Sequence, residues 1–522
     1  LFFSYSKEGK GKGKGKGLSF FALEVIDMSQ ESNQDRAPLY EKMLSHRFQR
    51  RSSFHVPGHK NGKGLDPAAM DYFASIMSLD YTELAPLDDL HHPTGVILEA
   101  QSLAAACFGA EETFFLVNGS TVGNIAMIMS ICAKEEILIV QRNAHKSIIH
   151  GLMLAGAKAV FLPPRLDATT GLATGVSLMD VITAMEDYPA AKGVLLTNPN
   201  YYGMGIELSD IAEAVHLRGL PLLVDEAHGA HFGFHPDLPK SALASGADVV
   251  VQSTHKMLTA MTMGAMLHVQ GNRVDRHLIQ QRLGMLESSS PSYPLMASLD
   301  LCRRWMYQEG KQSITKGLQV VQHFREQVKN RLSAAAIIEK EEHNLSYTFL
   351  DPFKITLRDR TGTWSGFQLR DQLALAGCDA EMADANHVLF QFSLASDDAD
   401  AEHLFLALSE IFMKLSLKKQ DFSEEITNNN KMQLFSQISA PILMALPQKS
   451  DASKVKAIPL EASIGFRSAE MVIPYPPGIP LLYIGEQITE QTAAYIKWFA
   501  KQGAWFQGAK DAGLTHISIF IE

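Results

Sequence analysis

Between residues 113 and 269, short apolar runs alternate with stretches patterned for helix, and no other feature constrains the fold as strongly. The runs are 113–117, 137–140, 159–162, 193–197, 221–224, 248–252 and 265–269. Several are continuously apolar, such as Val194-Leu195-Leu196, Leu222-Leu223-Val224 and Val249-Val250-Val251, which suits strands buried on both faces of a parallel sheet. Helical stretches at 121–134, 147–155, 178–188 and 208–218 separate them. This is the βαβα pattern of an α/β domain whose helices cover a mostly parallel sheet. Beyond residue 310 the pattern changes. A long amphipathic helix over 311–332 leads into shorter strands and helices at 340–418, and the polar stretch 418–431 reads as a linker. The Pro-rich run Ile473-Pro474-Tyr475-Pro476-Pro477-Gly478-Ile479-Pro480 is too rigid for helix and predicts an ordered, packed turn.

Composition narrows the function classes. The 522 residues carry 47 basic against 57 acidic side chains, a net charge of −10, which argues against a nucleic-acid binder. Four cysteines without a CxxC pair exclude a disulfide-stapled fold and point to a reducing compartment, the cytoplasm. No apolar stretch reaches the ~20 residues of a membrane helix, so no membrane partner is expected, and no metal is expected. One segment departs from the average. Residues 9–17 read GKGKGKGKG, and 1–27 hold five lysines against three acidic residues. The apolar patch that follows, 18–23, is too short and too polar-flanked for a signal peptide. Residues 1–27 are therefore expected to be a non-native, disordered and dispensable leader.

In open α/β sheets ligands bind beyond the carboxyl ends of the strands, and the unusual polar clusters fall there. Asn118-Gly119-Ser120-Thr121 follows the first run and opens a helix, a natural anion cradle, although an ordinary Ser/Thr N-cap reads the same way. His145 follows the second, as a loop residue or as a ring that stacks on a flat ligand. Asp225 directly follows Leu-Leu-Val, so its carboxylate needs a cationic partner, from a salt bridge or from a protonated ring nitrogen. Lys256, in Ser253-Thr254-His255-Lys256, would be desolvated at its strand end, which makes a nucleophilic amine available. Phosphate cradle, stacking ring, carboxylate and buried amine recur in order on one sheet. Together they are the parts needed to hold pyridoxal 5'-phosphate (PLP).

The sequence resembles the Orn/Lys/Arg decarboxylase family of bacterial PLP enzymes. The resemblance rests on eight ordered motifs, including Phe54-His55-Val56-Pro57-Gly58-His59-Lys60, Leu87-Asp88-Asp89-Leu90-His91, Val224-Asp225-Glu226-Ala227-His228-Gly229 and Gln252-Ser253-Thr254-His255-Lys256. It implies PLP fold type I, aspartate-aminotransferase-like: a mostly parallel sheet flanked by helices, with smaller α+β C-terminal domains. The expected division is an arm at 28–65, a PLP-binding domain at 66–330, a small α/β domain at 331–420 and a C-terminal domain at 421–522. The resemblance is to the shorter, biosynthetic-type branch of the family, without an N-terminal wing.

By the same resemblance Lys256 carries the cofactor, Asp225 pairs with its ring nitrogen, and His145 stacks on its face. Ser120, Thr121 and Ser253 hold the phosphate with His255 beside it, while Ala227 and His228 border the ring. Ser289 and Ser290 reach a neighbouring subunit's phosphate, implying a homodimer at least, with the active site at the subunit interface. Lys256 or His255 is the expected proton donor. The implied reaction is decarboxylation of a basic amino acid in polyamine biosynthesis: arginine first, lysine or ornithine as alternatives. Glu83, Asp88, Asp89, Glu287 and Glu381 are candidates for the substrate's distal cation. An aminotransferase, another enzyme of the fold, or a non-enzymatic binding protein remain open readings of the same residues.

Overall fold

The fold is that of a computed structural model, which describes residues 33–49, 51–416, 437–446, 454–475, 479–501, 504–511 and 513–521. The expected leader, the expected linker at 418–431 and the centre of the Pro-rich run, Pro476-Pro477-Gly478, lie outside the described residues.

The seven apolar runs form one eight-stranded sheet together with a two-residue strand, Ile442–Leu443, that the sequence pattern does not predict. Its members are β1 (Glu112–Leu116), β2 (Ile137–Gln141), β3 (Lys158–Leu162), β4 (Ala191–Thr197), β5 (Leu222–Asp225), β6 (Val249–Gln252), β7 (Ala265–Val269) and β8 (Ile442–Leu443), in the order β1-β7-β6-β5-β4-β2-β3-β8. Strands β6, β5, β4, β2 and β3 are mutually parallel. β7 runs antiparallel between β6 and β1, so β1 ends at the same edge as the parallel strands. β8 closes the far edge against β3, pairing Ile442 with Ala159. Every residue of β5 and β6 is buried, as the unbroken apolar runs require.

Helix α1 (Gly119–Ile131) packs unusually close to the sheet. A Cβ on Gly123 would lie 2.7 Å from Leu116 Cδ1 and 2.9 Å from Val251 Cγ1, so only glycine allows this approach. The next residue, Asn124, is thereby delivered to the end of β5. Helix α2 (Lys146–Ala155) starts directly after β2, with His145 as its N-cap.

The long helix begins earlier than the periodicity predicts. α3 runs Tyr293–Arg331, 39 residues, starting at an N-cap on Ser292. Its C-terminal half carries the apolar stripe Ile314, Val321, Phe324 and Val328. Its N-terminal half instead buries charge. Asp300 and Arg303 are fully buried and paired at 2.7 Å, with Arg303 also donating to Gln34 O and Asp300 accepting from Leu39 N–H. Polar residues turned inward erase the amphipathic signal there.

A four-stranded antiparallel sheet follows, ordered Met382–Ala383, Val388–Gln391, Lys354–Asp359, Ala335–Ile337, with helix Gly366–Leu375 against it and helix Asp398–Ser416 packed on that helix and on α3. The last unit pairs Val455–Pro459 with His516–Phe520 and Ile473–Tyr475 with Trp505–Gln507 around a core that includes Val472, Leu482, Ile496, Phe506 and Ile517. The start of the Pro-rich run is therefore strand rather than turn. Arg142, immediately after β2, ties this unit to the large sheet: its guanidinium lies 3.7 Å above the Tyr483 ring and donates to both carboxylate oxygens of Glu486 at 2.9 Å.

Candidate active site

The carboxyl ends of β1, β2, β4, β5 and β6 open onto one cavity of about 440 Å³. Ser120, Thr121, His145, Asp225, Ala227, His228, Ser253, His255 and Lys256 all line it, as do Thr197 and Tyr201. Ser289 and Ser290 do not; both are exposed after the helix that ends at Leu286.

Asp225 is the last residue of β5 and is buried. Its carboxylate accepts from Ala227 N–H at 3.1 Å and from Asn124 Nδ2 at 2.9 Å. Burial nonetheless pushes its pKa up, against the opposing pull of the Lys256 charge. Such a carboxylate calls for a cation. Asn124 was not foreseen from sequence, although an amide within the apolar helix Val122–Ile131 was the available signal. Its second N–H goes to Ser147 Oγ at 2.9 Å, and Ser147 lies 2.9 Å from His145 Nδ1. Because Nδ1 also accepts from Ser147 N–H in capping α2, it bears no proton, and Ser147 O–H donates to it. One buried amide thus orients both the carboxylate and the imidazole. Burial, with Lys256 and Lys146 nearby, drives the His145 pKa down to about 3, so the ring is neutral and suited to stacking.

The turn Thr254–Met257 after β6 carries Lys256, which faces the cavity. Desolvation lowers its pKa, opposed by Asp225 and Glu381. Its Nζ stands 3.1 Å from His228 Nε2 and 5.6 Å from the centre of the Tyr201 ring. His255 donates Nδ1–H to Gly264 O at 3.0 Å, and burial lowers its pKa. Ser253 and Ser120 hydroxyls meet at 2.7 Å where α1 begins. Gly119 there adopts φ +72°, and a Cβ on it would point into open space, so the turn leaves room for a ligand. Thr197 Oγ1, also on the wall, is buried without a partner among the described residues.

These groups fit PLP. There is an amine for its aldehyde, a buried carboxylate for its ring nitrogen, a flat neutral imidazole for its face, and hydroxyls at a helix start for its phosphate.

Of the five candidate carboxylates only Glu381 lines the cavity. Asp88 accepts the N–H groups of Thr94, Gly95 and Ile97 at the start of helix Val96–Phe108, and Asp89 accepts from His91 N–H. Glu287 accepts from Val117 N–H at 2.8 Å, and burial raises its pKa to about 7. Glu83 is not among the cavity's lining residues. Two cavity residues, Ile479 and Gln507, come from the C-terminal unit; Gln507 accepts from Lys146 Nζ at 2.7 Å.

Comparison with known proteins agrees with this geometry. Residues 37–400 match the family model described as Orn/Lys/Arg decarboxylase, major domain, and 432–509 match its C-terminal domain. An uncharacterized protein of Bacillus subtilis, YaaO, is 39% identical, covering 93% of this chain and 98% of its own. An arginine decarboxylase of the same organism is 34% identical, covering 94% and 99%. The solved constitutive lysine decarboxylase of E. coli superposes with a TM-score of 0.77 at 22% identity, covering 94% of this chain and 82% of that one.

Proposed function

The chain belongs to the Orn/Lys/Arg decarboxylase family and is a PLP-dependent decarboxylase of a basic amino acid; on that premise we propose that arginine is its substrate, agmatine and carbon dioxide its products, and Lys256 the residue that carries the cofactor. The observation that carries the residue assignment is the largely buried Lys256 amine, lowered in pKa, in the same cavity as the buried Asp225 carboxylate.

PLP supplies an electron sink for the pair left behind when carbon dioxide departs. Asp225 keeps a proton on the pyridine nitrogen, and Asn124 holds that carboxylate in place. His145 lays a neutral ring against the cofactor face. Ser120, Thr121 and Ser253 hold the phosphate with the first N–H groups of α1, beside His255, while Ala227 and His228 border the ring. Lys256 or His255 delivers the proton to Cα.

Glu381 is the only acidic side chain besides Asp225 on the described cavity wall. It is assigned to the substrate's distal cation, where a carboxylate can grip a planar guanidinium with two parallel hydrogen bonds. The arginine decarboxylase relatives support that choice over lysine or ornithine.

The chain divides on this reading into a PLP domain at 66–330, a small domain at 331–420 and a C-terminal domain at 421–522, preceded by an arm. Ser289 and Ser290, exposed outside the cavity, are read as residues received by a second copy, giving a homodimer. The four free cysteines favour a reducing cytoplasm.

The test is a decarboxylation assay of the purified, PLP-loaded protein against arginine, lysine and ornithine, reading carbon dioxide and amine product. Agmatine as the main product is expected. Faster turnover of lysine or ornithine overturns the substrate assignment, and a keto acid without carbon dioxide overturns the reaction.

A further inference from the structure

Behind the cavity lies a second buried lysine with no part in the scheme above. Lys354, the first residue of strand Lys354–Asp359, is fully buried. Its Nζ lies 3.2 Å from His228 Nδ1 and donates to Gln391 Oε1. The other nitrogen of the same imidazole, Nε2, is the one 3.1 Å from Lys256 Nζ. One ring is therefore held between two lysines, one facing the cavity and one behind it.

Starting from a charged Lys354, donor and acceptor counting places the remaining protons. An ammonium has three donors and no acceptor. Gln391 Oε1 accepts by its nature, so a charged Lys354 requires His228 Nδ1 to offer its lone pair. A neutral imidazole carries one N–H, which must then be on Nε2. That N–H points at Lys256 Nζ, and a hydrogen bond forms only if the Lys256 nitrogen has a lone pair. We propose that Lys354 is a positioning residue: its ammonium holds His228 as the Nε2–H tautomer, and His228 in turn holds Lys256 as the free base that its reaction with PLP requires.

The surrounding charges agree. His228 resists a second proton, because it is buried and faces Lys256, Lys354, His145 and His255. Burial lowers the Lys354 pKa to about 8, and Asp351 and Glu381 oppose that fall enough to leave an ammonium at neutral pH. Asp225 and Glu381 favour an ammonium at Lys256, whereas desolvation opposes one. The His228 N–H adds a directional preference for the free base that neither carboxylate can cancel locally. A hydrogen bond from Gln391 Nε2 to the Lys256 carbonyl oxygen ties the two lysine-bearing segments together, so the spacing across the imidazole is fixed from both sides.

The proposal rests on Lys256 being the cofactor lysine, and its test separates the two ideas. In full-length protein labelled with ¹⁵N-histidine and freed of PLP, the His228 resonances should report the Nε2–H tautomer at neutral pH. K354M should shift them toward Nδ1–H. Competitive acetylation of Lys256, read by peptide mass spectrometry across pH, should then show its half-reaction point raised by about one pH unit, roughly a tenfold loss of free base at neutral pH. In the holoenzyme, the pH midpoint of the cofactor absorbance should move the same way.

Simple charge repulsion between the lysines would survive removal of the imidazole, so K354M is repeated in an H228L background. There the proposal expects most of the K354M shift to vanish; a full-sized shift overturns it. An Nδ1–H tautomer in the wild-type protein overturns it outright, as does a tautomer unchanged by K354M, and the wild-type spectrum decides the matter even if K354M does not fold. Cofactor absorbance surviving in K256A would instead refute the cofactor lysine and leave the His228 measurement standing.

Discussion

Asn124→Leu should cripple cofactor binding without touching the cofactor's expected reactive lysine. Asn124 is 1% exposed and its amide serves two acceptors at once, Asp225 Oδ2 and Ser147 Oγ, each at 2.9 Å. Leucine is near-isosteric, so the helix-to-sheet contact at Gly123 is kept and only the hydrogen bonds are lost. A hydrogen bond to a charged group is worth about 1.5–3 kcal/mol. Losing the one to Asp225 raises that carboxyl's pKa further above its ordinary range, since Asn124 is among the groups holding it down. The sign follows from linkage. A buried acid with a raised pKa destabilises the folded chain as pH climbs from the unfolded to the folded value, and the ionised form becomes harder to keep for pairing with a ring nitrogen. The affinity for PLP should therefore fall by about 10–100-fold near neutral pH, with the deficit shrinking as pH rises and Asp225 ionises. Equilibrium titration of PLP, followed by absorbance at several pH values, measures this directly. Affinity within twofold of wild type would refute the chain of reasoning from Asn124 through Asp225 to the cofactor ring.

Four other substitutions probe separate parts. K256A should abolish both the cofactor's lysine-linked absorbance and turnover, checked by a visible spectrum and a carbon dioxide assay. E381Q should raise KM for arginine by about 10–100-fold, from the loss of a charge-assisted hydrogen bond, while the cofactor still binds; an unchanged KM removes Glu381 from substrate recognition. Glu287, with a pKa lifted to about 7 from 4.5, gives the wild type stability that is complete below about pH 4.5 and lost as pH rises through 7. E287Q cannot ionise, so its melting temperature should match wild type near pH 5 and exceed it at pH 8, by up to about 3 kcal/mol of stability. Gly366→Ala would put a Cβ 2.3 Å from the carbonyl oxygens of Asp384 and His387, and should cost about 1–3 kcal/mol in a thermal or urea melt.

Most of the sheet was legible because its strands are buried on both faces and therefore read as unbroken apolar runs; β5 and β6 are the clearest cases. The polar residues at the strand ends were legible for the complementary reason, since Asp225 and Lys256 interrupt apolar surroundings where solvation is poor. What escaped was set by tertiary partners. The first half of α3 hides its helical face because Asp300 and Arg303 turn inward to each other and to the N-terminal arm. Asn124 is defined by two acceptors that arrive from β5 and α2, which a helix read alone does not reveal. Lys354 looks like an ordinary strand-end lysine until His228 and Gln391 close around it. Candidate carboxylates could not be ranked from sequence, because only the fold shows Asp88 and Glu287 already committed to backbone N–H groups while Glu381 faces the cavity.

The cavity wall runs from Asn118 to Gln507 along the chain, which gives it a timetable. During synthesis β1 to β7 and Lys256 leave the ribosome first, and about 250 residues beyond Lys256 must follow before Gln507 emerges. At about 5–20 residues per second that interval is roughly 10–50 s. Lys256 thus waits in an unfinished chamber until Gln507 arrives, so the enclosed cavity forms well after the strands that carry most of its polar residues.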